Sequence, residues 1–187
     1  ENLFNKKDGE YNVNSLLLNK DYISSNKIKI SSPGSVKKIV GYVSYADENI
    51  INHALDISRK YQKTWKNVEI DQKLEIVRKF ALLLEKNKDD LLKVCVNEAG
   101  KTISDSFNDL REAIDFCYYY SSEAKKILSK EIIFEGPTGE KNKLIYESKG
   151  VIFCISPWNF PIAIFVGQII AALLCGNTVI AKPAEQT

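Results

Sequence analysis

Three polar side chains near the C-terminus carry the chemistry that this sequence offers: Asn159, Lys182 and Glu185. Asn159 stands in the hexapeptide SPWNFP, held between Pro157 and Pro161, with the apolar run GVIFCIS before it and IAIFVGQIIAALLC after it. A carboxamide whose backbone is restrained by prolines can donate an N–H to an oxygen that gains negative charge when a carbonyl is attacked. Lys182 and Glu185 follow a second apolar run, TVIAK. A lysine there can donate to sugar hydroxyls. A carboxylate there can accept from a ribose 2′-hydroxyl and would repel a 2′-phosphate, which favours NAD over NADP. Each residue also has a plainer reading. Asn159 can cap the following helix through an Asx turn, and Lys182 with Glu185 can be a solvated pair beyond a strand. No GxGxxG follows the first apolar run, so the common dinucleotide fingerprint is absent.

Thiol and metal chemistry are poorly served. Cys95, Cys117, Cys154 and Cys175 lie far apart with no CxxC pair, each among apolar or aromatic neighbours. They read as reduced core thiols of a cytoplasmic protein. None has the electropositive, accessible setting that a catalytic thiolate needs. With a single histidine, His53, no clustered ligand set for a metal is expected.

The elements that must position the three polar residues are easily drawn. GVIFCIS reads as a strand of a parallel sheet buried on both faces. A buried helix follows, with Pro161 near its first position and Gly176–Asn177 as its stop. TVIAKPA is a second buried strand. This is one βαβ unit. Ligands of open parallel sheets bind beyond the carboxyl ends of the strands, so Asn159, Lys182 and Glu185 fall on one rim.

Upstream, residues 1–30 are rich in Asn, Lys and Ser and read as a leader or linker with at most one short element. SSPGS marks a turn and KIVGYVSYA a strand. Asp47 is placed to cap a helix bearing Ile50, Ile51, Ala54, Leu55 and Ser58 on one face. Further helices are predicted over 71–86, with Leu74, Val77, Ala81 and Leu84 in a stripe, and over 88–99, closed by Gly100. The longest has a seam of Ile103, Phe107, Leu110, Ile114, Cys117, Ser121 and Ala124, which is a packing face. Residues 131–148 read as a hairpin around the turn GPTG.

Composition sets the outer bounds. The 187 residues are 44% hydrophobic and 27% charged, with a formal net charge of +2. That balance leaves no basic field for nucleic acid or a membrane surface. Pro157, Asn159 and Pro161 interrupt the apolar stretch 151–175, and what remains is shorter than the roughly 20 residues of a membrane span. The chain contains no methionine, opens on Glu1 and stops just after an apolar strand, so it is read as a fragment of a longer protein.

The segment CISPWNFPIAIFVGQIIAALLCGNTVIAKPAEQT resembles the one that opens the cofactor domain of the aldehyde dehydrogenase superfamily. KKIVGYVSYADENIINHAL, NEAGKTISDSFNDLREAIDFCYYY and AIFVGQIIAALLCGNTVIAKPAEQT are most similar to its pyrroline-5-carboxylate (glutamate semialdehyde) dehydrogenase branch, in the form found in bifunctional proline utilization A proteins. The resemblance runs from about Ser31 to Thr187. It implies an incomplete α/β fold: a helical N-terminal region over 31–130, a hairpin over 131–150 that serves as an oligomerisation flap, and the start of an NAD-binding Rossmann domain over 151–187. That Rossmann variant lacks the glycine fingerprint.

By position, the resemblance makes Asn159 the oxyanion-hole amide. Ile155, Ser156, Pro157 and Trp158 would line the cofactor cleft, and Lys182 and Glu185 would grip the adenosine ribose. It implies NAD as cofactor, a small aldehyde as substrate, homo-oligomers, and FAD only if a proline dehydrogenase half precedes residue 1. The family's cysteine nucleophile and glutamate base would fall beyond Thr187, so the chain alone is expected to be inactive and to bind NAD weakly or not at all. A non-catalytic remnant or an oligomerisation module is the competing expectation.

Overall fold

A computed structural model describes residues 11–25 and 27–187. The expected leader thus lies partly, over residues 1–10, outside the described residues. Its described part is more structured than expected. Tyr11–Val13 forms β1, Ser15–Leu17 β2, Lys20–Tyr22 β3 and Lys27–Ser32 β4, before the long strand β5 at Ser35–Ser44. β4 pairs antiparallel and β1 parallel with β5, in the order β1-β5-β4, while β2 and β3 make a separate hairpin. The turn between β2 and β3 places Leu18 and Asn19 at φ 49° and 60°, the left-handed pair that a two-residue hairpin loop requires. Gly41 permits the β1 contact: a Cβ there would lie 2.3 Å from the Tyr11 carbonyl oxygen. The three-residue strands β1, β2 and β3 escape a composition reading because they are too short to leave a pattern.

The helical region follows in four pieces: α1 (Glu48–Trp65), α2 (Ile70–Lys86), α3 (Lys88–Glu98) and α4 (Ile103–Leu128). Asp47 caps α1 as expected, its side chain accepting from the Ile50 N–H at 2.9 Å. Gly100 takes φ +67° just past α3, the conformation that favours glycine at a helix end. Thr102 caps α4, accepting from the Asp105 N–H at 3.0 Å. The buried stripe of α4 is rotated from the expected seam. Ile103 and Phe107 are 57% and 50% exposed, whereas Ser106, Asp109 and Ala113 are fully buried. Small and polar side chains line that face because another helix packs closely there.

That helix belongs to the C-terminal unit. After the exposed hairpin of β6 (Ile132–Glu135) and β7 (Lys141–Leu144) come β8 (Val151–Ile155), α5 (Ala163–Leu174) and β9 (Thr178–Lys182). β8 and β9 pair in parallel, from Val151 with Thr178 to Ile155 with Lys182. α5 packs on α4 and α2, so Ala163, Val166, Ile170 and Leu174 share one core with Val77, Ala81, Leu110, Ala113 and Cys117. Gly167 lets Phe116 of α4 approach: a Cβ at Gly167 would lie 2.8 Å from that ring. Trp65 ties α1 to the same unit through its indole N–H, which donates to the Leu173 carbonyl at 2.9 Å.

One expectation for this unit is corrected. β8 is not buried on both faces: Cys154 is buried, but Phe153 and Ile155 are 55% and 60% exposed. Both line an open groove of 540 Å³ with Gln168, Ala171, Ala172 and Cys175. Among the described residues, nothing covers it. Pro161, expected near the first helical position, lies two residues before it, because α5 begins at Ala163 with Ile162 as its cap residue. Among the described residues, no helix is long and apolar enough to cross a membrane.

Candidate active site

The parallel pairing of β8 and β9 ends where the rim begins. The Ser156 N–H donates to the Lys182 carbonyl at 3.1 Å, one step past the Ile155–Lys182 register pair. Gln168 on α5 braces this end, donating to the Ile155 carbonyl at 3.3 Å, while the buried Ser156 hydroxyl donates to its amide oxygen at 3.4 Å. Pro157, Trp158 and Asn159 then turn outward and are exposed.

Lys182 and Glu185 form an ion pair of 2.5 Å with side-chain exposures of 40% and 59%. The hydrogen bond from Lys182 is the main reason that the Glu185 carboxyl sits below the usual carboxylate range. A partly exposed pair of this kind is worth about 0–1 kcal/mol. Its members can therefore exchange each other for a ligand's hydroxyls at little cost.

Asn159 lies against the helical region. Its backbone carbonyl accepts from Lys101 Nζ at 3.1 Å, and it lines a small groove of 330 Å³ with Lys101, Asp105, Asn108 and Phe160. Among the described residues, its carboxamide makes no hydrogen bond. The helix cap that an Asx turn would have supplied comes from elsewhere: Asp109 Oδ1 on α4 accepts the Ala163 N–H at 2.8 Å. The Asn159 side chain is thus exposed and unengaged among the described residues. Asp109 and Lys101 were not singled out in the sequence. The available signal was a carboxylate lying on the packing face of α4, a position that costs several kcal/mol unless the charge is paired.

Three of the four thiols are poorly suited to act as nucleophiles. Burial pushes the Cys95 and Cys117 thiols up to about 11 and raises that of Cys154. Cys175 departs from the expected core placement. It is the exposed C-terminal cap residue of α5, where the chain turns out of the helix at Gly176. Among the described residues, no three His, Cys, Asp or Glu side chains gather as a metal site.

The rim defines a class: a parallel strand–helix–strand unit with an acceptor and a donor beyond one strand and an unengaged amide beyond the other, as in proteins that bind a nucleotide cofactor beside a reacting carbonyl. The donor–acceptor pair suits the vicinal hydroxyls of a ribose, so the residues present fit one side of a dinucleotide. More specifically, the model of the aldehyde dehydrogenase family matches residues 22–187, and the chain belongs to that family. It is 37% identical over 158 residues to the bifunctional protein PutA of Escherichia coli, which covers 84% of this chain and 11% of that protein. It is 34% identical to 1-pyrroline-5-carboxylate dehydrogenase 1 of Halalkalibacterium halodurans, across 92% of this chain and 33% of the relative. The crystal structure of 1-pyrroline-5-carboxylate dehydrogenase from Thermus with bound NAD superposes with a TM-score of 0.88 at 32% identity, over 95% of this chain and 34% of that one. The α/β architecture is accordingly a partial aldehyde dehydrogenase fold, and the chain spans about a third or less of the length of these relatives.

Proposed function

We propose that this chain supplies the oxyanion amide and the ribose-binding rim of an NAD-dependent dehydrogenase that oxidises L-glutamate γ-semialdehyde, the open form of pyrroline-5-carboxylate, to L-glutamate in proline catabolism. The observation that carries this reading is the exposed Asn159 carboxamide, without a hydrogen bond among the described residues, in a loop whose backbone is held by Lys101 from the α3–α4 connection. The names of the relatives, PutA and 1-pyrroline-5-carboxylate dehydrogenase, support the choice of aldehyde.

In this mechanism Asn159 Nδ2 donates to the aldehyde oxygen as a cysteine thiolate attacks the carbon, stabilising the charge that develops there. Three of the chain's four thiols are buried and Cys175 sits at the opposite end of α5 from Asn159, so this mechanism takes its thiolate and general base from outside these 187 residues. Lys182 donates to, and Glu185 accepts from, the adenosine ribose. Ile155, Ser156, Pro157 and Trp158 form the wall beside it. When bound, NAD supplies the hydride acceptor. The chain by itself is catalytically silent and holds NAD weakly, because only the ribose side of the cleft is present. FAD enters only through a proline dehydrogenase half joined upstream. Three buried reduced thiols agree with a cytoplasmic setting.

The test is to assay NAD reduction with glutamate semialdehyde, once with the protein purified from its own cells and once with the 187-residue chain alone. Activity in the first and none in the second supports the proposal. Turnover by the chain alone, with any aldehyde, refutes it. A second reading is favoured by the exposed apolar side chains of the β6–β7 region, including Ile133, Phe134, Ile145 and Tyr146. On that reading the chain is a non-catalytic association module, and its apparent size would rise with concentration while the assay stayed silent.

A further inference from the structure

Lys101 occupies an unusual position for a lysine. It follows the left-handed Gly100 and precedes Thr102, so the cap of α4 fixes its backbone from one side. Its side chain is 13% exposed, and its ammonium lies 3.0 Å from Asp109 Oδ2, 3.1 Å from the Asn159 carbonyl and 4.5 Å from the centre of the Phe160 ring. The neighbouring Asp105 does not compete for it, because that carboxylate accepts from the Thr102 hydroxyl at 2.8 Å.

Asp109 is fully buried, and both of its oxygens are used: Oδ2 by Lys101, and Oδ1 by the Ala163 N–H at the start of α5. α5 has no acidic residue in its first turn and no side-chain cap of its own. A carboxylate borrowed from α4 therefore satisfies an orphan donor and the positive end of the helix together. The loop after β8 is then held at two points four residues apart, at Asn159 within it and at Ala163 where α5 begins, by one largely buried ion pair. Replacing a buried ion pair with apolar groups is often neutral or stabilising. Stability alone is therefore a weak reason for this pair.

We infer that Lys101 and Asp109 are positioning residues for Asn159: they fix the backbone that aims its carboxamide. The catalytic consequence rests on the proposed function, whereas the structural consequence does not.

The test uses the protein as its own cells make it. Lys101→Met combined with Asp109→Asn removes both charges yet leaves an amide oxygen to accept from the Ala163 N–H, which avoids stranding a buried charge. Lys101→Arg alone retains a donor. In the double variant, hydrogen exchange at the amides between 158 and 164, Pro161 having none, is expected to quicken at least tenfold while α4 keeps its protection. The aldehyde kcat is expected to fall by about 10- to 100-fold with KM for NAD unchanged, the scale of a misaimed rather than a missing group. Lys101→Arg should recover most of both. Unchanged exchange over 158–164 would overturn the inference, and so would faster exchange with kcat intact. Should the wild-type protein oxidise no aldehyde, the proposed function fails, and the exchange experiment still decides whether the pair holds the loop.

Discussion

The helical core and the β8–β9 rim of this chain are built on opposite terms. In the core, α2, α4 and α5 close on one another so tightly that Ala113 and Ala163 are 0% exposed and Leu174 is 1% exposed. At the rim, two parallel strands leave Phe153, Ile155 and Trp158 more than half exposed. The chemistry-bearing residues, Asn159, Lys182 and Glu185, all belong to the open part. The closed part reaches into it through α5, which is core on one side and, through Gln168, braces the end of β8 on the other. The contrast teaches that folding energy and function are separated by residue here. Changes in the core should cost stability, and changes at the rim should cost chemistry.

The largest expected effect sharpens that separation. Leu174→Ala removes a nearly fully buried side chain from the shared core and should destabilise the chain by about 2–5 kcal/mol. Denaturant unfolding measures it, and a loss below 1 kcal/mol would mean that α5 is not part of the core. Lys182→Ala should do the reverse. It should leave the unfolding midpoint in place while weakening NAD binding about fivefold, or ~1 kcal/mol, the usual net value of a hydrogen bond. Isothermal titration of the protein from its own cells with NAD reads this directly.

A smaller effect concerns Glu98 on α3, whose carboxyl burial raises above the ordinary value. The folded state then binds that proton more tightly than the unfolded chain does. The resulting stabilisation is present at acid pH, below the unfolded value, and is lost as pH rises through the folded one. Glu98→Gln should therefore melt above wild type at pH 7, with the gap narrowing toward pH 4. The subtlest comparison is thiol reactivity. At pH 8 a thiol reagent should label Cys175 quickly, whereas Cys95 and Cys117, buried and with thiols near 11, should react only on unfolding. Fast labelling of more than one thiol would mean that the core opens more readily than its packing implies.

Much of this was legible in the sequence because the patterns are long. Eleven or more residues of helical periodicity placed α1 to α4, and the strand–helix–strand order of the C-terminal unit followed from two apolar runs around a third. What escaped did so for physical reasons. The three-residue strands β1, β2 and β3 bury too little to leave an apolar pattern. The α4 stripe was misplaced because large side chains were expected on the packing face, whereas close helix contact selects Ser106, Asp109 and Ala113. At the rim, spacing alone set Asn159, Lys182 and Glu185 beyond adjacent strand ends. It could not reveal that Asn159 is held by Lys101, since that contact joins residues 58 positions apart.

The most direct test of the central claim is the kcat of Asn159→Ala with glutamate semialdehyde and NAD, in the protein purified from its own cells. If the Asn159 carboxamide holds the developing oxyanion, kcat falls by about 10²- to 10³-fold, with the unfolding midpoint unchanged because the side chain is exposed. A variant that turns over like wild type would show that the amide of SPWNFP is not the oxyanion donor, and the account of this rim would be wrong.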